Sequence, residues 1–194
     1  DRPCYLFNGM GGQGTAAMRY VAYGEEQGYH RRYLTKMRKP WYKLELRQPA
    51  PLLLAVFGRG GFRVSLNRSS AVNLTAFHGF YPKESARFLL PLIWLYFQTA
   101  TARDAFAIQQ RAYGDGLKKL EPGDWSKLLV PDWRYWDEND LCIAIQWAQE
   151  ALAEFDEGRG DRVDRWAMRL NELIRQRRWR STETRHADPQ IVLS

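Results

Sequence analysis

The chain is poor in the residues that build metal and redox centres. Its 194 residues include two cysteines, Cys4 and Cys142, and three scattered histidines, His30, His78 and His186. None stand at metal-ligand spacing, so no metal site is expected. The cysteines form no motif, and two buried reduced thiols are the expectation rather than a long-range disulfide. Long apolar runs are also missing. The longest, Phe88 to Phe97, falls far short of the ~18 residues that a membrane span requires. The opening DRPCYLF has neither the basic nor the apolar region of a secretory leader. A cytoplasmic protein with no membrane partner is therefore expected. The first residue is not Met, which suggests a piece of something longer.

Acid is scarce where base is dense. Between His30 and Arg47 stand seven Lys or Arg against one acid, Glu45. Tyr33, Trp41 and Tyr42 are interleaved with them. A solvated helix alternates its charge signs, and a core segment carries few charges. The formal net charge is +7, and the excess is all in the first part. Residues 1–82 hold 12 Lys or Arg against 4 acids, and residues 83–194 hold 17 against 18. That asymmetry points to a polyanion-binding face. An apolar content of 45% is enough for a core and excludes a disordered tail.

Periodicity indicates an α+β protein: a small mixed β-sheet with a packed helix, followed by a C-terminal helical hairpin. The expected division is residues 1–132 and 133–194. The Gly9 to Thr15 segment lacks the Lys-Ser/Thr pair of a P-loop and reads as a plain loop. Thr15 to Gly28 reads as a short helix, capped by Thr15 and ended at Gly24 or Gly28. WYKLELR, Trp41 to Arg47, alternates in the manner of a strand. Pro51 to Phe57 reads as a strand buried on both faces. Gly58 to Gly61 is then a turn, and Phe62 to Asn67 completes a hairpin. A loop and one more strand are expected up to Pro82. Lys83 to Gln110 has helical spacing, opened by Ser85, with Pro91 shifting the start or kinking the helix. A short helix starts at Pro122. Glu138 to Gly158 and Asp161 to Trp179 form the helical pair, the first presenting Leu141, Ile145, Ala148 and Leu152 on one face. The last dozen residues read as a loose tail.

Several elements in order resemble the C-terminal target-recognition region of gamma-type adenine-N6 DNA methyltransferases of restriction-modification systems. They are Arg38, Pro40, Trp41 and Tyr42; then Asn67, Ser69, Ala71, Asn73, Tyr81 and Pro82; then Arg111, Tyr113, Gly114, Gly116, Lys119, Leu120, Glu121, Pro122, Val130 and Pro131. The resemblance covers roughly residues 20 to 132. It implies sequence-specific binding of double-stranded DNA. It also implies that S-adenosylmethionine and the chemistry belong to an N-terminal catalytic domain or another subunit. This chain has no Asn/Asp/Ser-Pro-Pro-aromatic loop: KPWY, Lys39 to Tyr42, leads with a donor-only side chain, whereas the adenine amino group needs an acceptor. No cofactor is expected in the chain itself, and no catalytic residue.

On this reading Arg31, Arg32, Lys36, Arg38, Lys39, Lys43, Lys118 and Lys119 contact phosphates. Arg59, Arg63, Arg68, Asn73 and Arg111 read base edges, Arg63 and Arg68 foremost. Asn67 caps or turns the backbone instead. Trp41 and Tyr42 either stack on nucleotide groups or pack a corner. The glycine turn at Gly114 to Gly116 either approaches a phosphate or is a plain hairpin turn. His78 is expected to be packed or hydrogen-bonded, because no acid or nucleophile accompanies it. Two other readings compete. One is a protein-interaction module whose helical hairpin, Glu138 to Trp179, docks a catalytic subunit. The other is an independent enzyme, which lacks any triad, paired carboxylates or metal set.

Overall fold

A computed structural model describes residues 7–9, 14–44, 47–59, 61–112, 114–176 and 192–193. It divides into two compact units, residues 1–47 and 48–194.

The first unit is helical. Helix α1 (Thr15–Glu26) is preceded by Gly14 as its N-cap, so Thr15 is the first helical residue and not the cap. The chain leaves α1 through Gly28, whose φ of 70° suits a residue without a Cβ. A 3₁₀ turn (Tyr29–Arg31) and the single-turn helix α2 (Tyr33–Lys36) follow. The strand expected over Trp41 to Arg47 does not form in the described residues. Trp41 and Tyr42 occupy a turn, and residues 45 and 46 lie outside the described residues. The Trp41 indole N–H donates to Glu25 Oε1 at 3.0 Å. Its ring lies so close to α1 that a Cβ on Gly24 would stand 2.5 Å from it. At its start, the run read as a strand yields to a side chain anchored on the helix.

The second unit is α+β. Strands β1 (Leu52–Ala55), β2 (Phe57–Gly58), β3 (Val64–Leu66) and β4 (Phe77–Tyr81) come first. A 3₁₀ segment (Glu84–Leu89) leads into α3 (Leu90–Tyr96), followed by α4 (Ala100–Gln109). The run read as one helix is thus three pieces. Pro91 falls in the first turn of α3, where a missing N–H costs nothing. Thr99, not Ser85, is the capping side chain: its hydroxyl accepts from the Ala102 N–H at 3.2 Å and starts α4. Strands β5 (Arg111–Ala112) and β6 (Lys118–Lys119), helix α5 (Pro122–Trp125), helices α6 (Glu138–Asp156) and α7 (Val163–Gln176), and strand β7 (Val192–Leu193) complete the order.

One sheet runs β3-β1-β4-β7 and a smaller one β2-β6-β5. Every ladder is antiparallel, where a mixed sheet was expected. The β1–β3 hairpin follows the expected pattern, with Leu52 opposite Leu66 and Leu54 opposite Val64. Two residues of the presumed loose tail, Val192 and Leu193, pair with β4. Helix α3 packs on β3, α6 and α7. One core therefore joins Leu52, Phe80, Leu95, Ala148 and Leu170, and a boundary between 132 and 133 would cut through it. Cys142 is free and exposed on α6, not buried, while Cys4 lies outside the described residues.

Helix α6 packs on both α3 and α7 and buries small residues, Ala144, Ala148 and Ala151. Glu154 supplies the polar bond between α6 and α7. It is buried, accepts from the Trp166 indole N–H at 2.9 Å and is ion-paired with Arg165. Removing one partner of such a set strands the other. Glu154→Ala is expected to cost ~1–3 kcal/mol in urea unfolding. Glu154→Gln keeps an acceptor for Trp166 and should lose less. Equal losses would show that the pairing is not what matters there.

Candidate nucleic-acid interface

In the first unit the cations cluster where acid is absent. Arg31, Arg32, Lys36, Arg38, Lys39 and Lys43 are all exposed. None forms an ion pair with an acid among the described residues. Their contacts are to neutral groups. Arg31 Nε donates to His30 Nε2 at 3.2 Å. Arg32 lies over the Tyr29 ring at 4.4 Å, and Lys36 over the Tyr33 ring at 5.5 Å. Cation–π contacts hold a guanidinium or ammonium in place without cancelling its charge. Arg38 reaches the Lys43 carbonyl at 3.4 Å. Trp41 and Tyr42 have the placement of a packed corner. Trp41 lies against Gly24, Tyr42 lies beside Gly9, and the two rings meet edge to face at 5.7 Å.

The second unit shows the opposite pattern. Arg68, on the loop after β3, is ion-paired with Asp156 at the end of α6. Arg59 pairs with Asp115 at 3.2 Å, linking the turn after β2 to the turn between β5 and β6. Arg111 and Lys119 stand directly opposite each other in the small sheet. Like charges so placed repel, and each has its own acid. Asp124 sits 3.1 Å from Arg111, and Glu121 pairs with Lys119. Lys119 also lies over the Phe57 ring at 5.6 Å. Arg63 is exposed and Lys118 half-buried, and neither side chain has a polar partner among the described residues. Arg63 and Arg68 line one groove of about 400 Å³, with Asp156, Gln98 and Phe155 among its other walls.

Asn73, expected to read a base, turns inward. Its Nδ2 donates to the Phe77 carbonyl at 2.9 Å, and its half-buried amide closes the loop before β4. Asn67 shapes the backbone as expected. It donates to the Ala71 carbonyl at 2.8 Å and accepts from the Ser69 hydroxyl at 2.9 Å. His78 is half-buried, with Nε2 3.3 Å from the Leu120 carbonyl. In the glycine turn, Asp115 and Gly116 both have positive φ, 61° and 66°. Tyr113 lies outside the described residues. Among the described residues there is no cluster of three His, Cys, Asp or Glu able to hold a metal, and no helix long and apolar enough to cross a membrane.

Asp124 is the buried acid of this region. The Glu121 backbone N–H, donating at 2.9 Å, and then Arg111 hold its carboxyl below the usual carboxylate value, against the opposing effect of desolvation. A folded-state pKa below the unfolded value of about 4 stabilises the fold above that value. The contribution is lost as pH falls through the folded-state value. Asp124→Asn should therefore lower the urea midpoint at pH 7, and the gap to wild type should narrow as pH falls below the usual carboxylate value. A gap independent of pH would show that the charge of Asp124 contributes nothing.

The chain matches the model of the type II methyltransferase M.Eco57I C-terminal domain over residues 1–157. It is 35% identical over 134 residues to type II methyltransferase M.AccI of Acinetobacter calcoaceticus, covering 68% of this chain and 25% of that protein. It is 28% identical over 115 residues to type II methyltransferase M.XamI of Xanthomonas campestris pv. amaranthicola, covering 58% of this chain and 21% of that protein. The chain thus spans about a quarter or less of the length of these relatives. No solved structure matches it.

Proposed function

This chain belongs to the M.Eco57I C-terminal domain family of type II methyltransferases, and from that premise we propose that it recognises the target duplex for an adenine-N6 DNA methyltransferase. The observation that carries the proposal is the set of six exposed cations in the first unit, none neutralised by a described acid. Lysines and arginines in that state bind phosphates by releasing condensed counterions. The same charges would repel one another in a unit with no polyanion to meet. Transfer of the methyl group, binding of S-adenosylmethionine and extraction of the adenine are assigned to the rest of the enzyme, as an N-terminal catalytic domain or separate subunit. Extraction is costly, and a grip that fixes register makes it possible at one site.

The paired arginines of the second unit suit a different task. An exposed ion pair is worth only ~0–1 kcal/mol, so Arg59 or Arg68 can leave its acid for a base edge at little cost. Arg63 has no polar partner to leave among the described residues and is the foremost base reader. Asn73 and Trp41 are better assigned to folding than to contact. The protein-docking reading draws less support, because α6 and α7 bury Ala148, Trp166 and Leu170 in the unit's own core.

Binding to labelled duplexes, titrated against salt, tests the assignment. Lys39→Ala and Lys43→Ala should weaken binding to all duplexes alike, each reducing the slope of log K on log salt by about one. Arg63→Ala should leave that uniform term largely intact, cost ~1–3 kcal/mol on the preferred sequence and blur the preference. Salt-independent binding, or no effect of any of these changes, would refute the assignment.

A further inference from the structure

We propose that Leu34 and Met37 form an apolar wedge that enters the base stack of the bound duplex while the cations beside them hold the flanking phosphates. The inference rests on the DNA-recognition reading and specifies how the first unit makes contact.

Leu34 is 71% exposed and Met37 73% exposed. Three residues apart, at and just beyond the single turn of α2, they lie on one side of it. Their neighbour Tyr33 is equally open, but its ring carries the Lys36 ammonium, as Tyr29 carries Arg32. The aromatic rings thus hold cations, and the two flexible aliphatic side chains are left projecting. The turn beneath them is braced. The Thr35 hydroxyl reaches the carbonyls of Arg32 and Tyr29, tying α2 to the 3₁₀ turn before it.

An exposed Leu–Met pair needs an occupant, and the surrounding charge selects it. From Gln27 to Leu44 the sequence contains no Asp or Glu. The centre of a protein–protein interface is depleted of lysine, and three lysines, Lys36, Lys39 and Lys43, stand here. A membrane-surface helix needs a long apolar face, and α2 has four residues. A duplex offers phosphates to the cations and, between base steps, an apolar slot that leucine and methionine side chains are known to enter. Opening a step in this way lowers the cost of taking a neighbouring base out of the stack.

The test uses the whole chain and two fluorescent duplexes of one sequence, one of them with a central abasic site. The gap admits a wedge without unstacking, so the wild-type chain should prefer the abasic duplex by about tenfold. The double variant Leu34→Ala/Met37→Ala should bind both alike and keep the wild-type salt slope. Both side chains are exposed, so circular dichroism should show an unchanged fold. Equal wild-type affinity for both duplexes, with a normal salt slope, overturns the wedge and leaves the DNA reading standing. No binding to either duplex overturns both. If the wild type shows no abasic preference but the double variant loses self-association, or loses binding to vesicles of anionic lipid, the pair serves a second copy or a membrane and the wedge is excluded.

Discussion

The second unit depends on burying α3. Its main sheet is built from strands of two to five residues, too short for stability without a helix across one face. Helix α3 supplies that face and must also receive α6 and α7. It is therefore apolar almost all round: Leu92, Trp94, Leu95 and Tyr96 are all buried. Its tyrosine hydroxyl is partnered. The Tyr96 hydroxyl donates to the Leu129 carbonyl at 2.7 Å, and burial pushes its pKa up. Docking α6 on α3 is what brings Asp156 to Arg68, so core packing sets the electrostatics of the groove above it.

Charge is consequently sorted by fold. In the second unit, antiparallel pairing and helix docking deliver an acid to Arg59, Arg68, Arg111 and Lys119. In the first unit, Arg31, Arg32, Lys36 and Arg38 stand on or just after two short turns and, among the described residues, meet aromatic rings, a neighbouring imidazole and a carbonyl. A non-selective grip wants the second state, because a free cation gains the full benefit of counterion release. A discriminating contact tolerates the first, because a wrong base must compete with an acid already in place.

Much of this was legible in the sequence, for identifiable reasons. The β1–β3 hairpin announces itself as an apolar run and an alternating run around glycines, and α6 and α7 by their period. The basic stretch was legible because composition alone says that 18 residues with seven cations and one acid cannot be a core. The misreadings came partly from contacts distant in sequence and partly from local breaks that the period does not show. Alternation over Trp41 to Arg47 predicts a strand, but a strand needs a ladder, and the Trp41 indole instead finds Glu25 sixteen residues back. Helical spacing across Lys83 to Gln110 is real, yet Pro91 and the Thr99 cap cut it into pieces. Nothing local shows that Arg68 meets Asp156, 88 residues away.

The first unit has little core to spend. Among its described residues, Val21 is the only apolar side chain that is buried, while Tyr33, Leu34 and Met37 are open. Burial of this kind contributes little stability by itself, so the peg of Trp41 on Gly24 and Glu25 carries a disproportionate share of the unit's order. Whatever the unit binds must then be met with surface that a larger domain would have hidden. On the DNA-binding reading this is an advantage. A unit that keeps its apolar and cationic groups outside gains burial and charge neutralisation together when a polyanion arrives, and ligand binding of that kind stabilises the fold it selects.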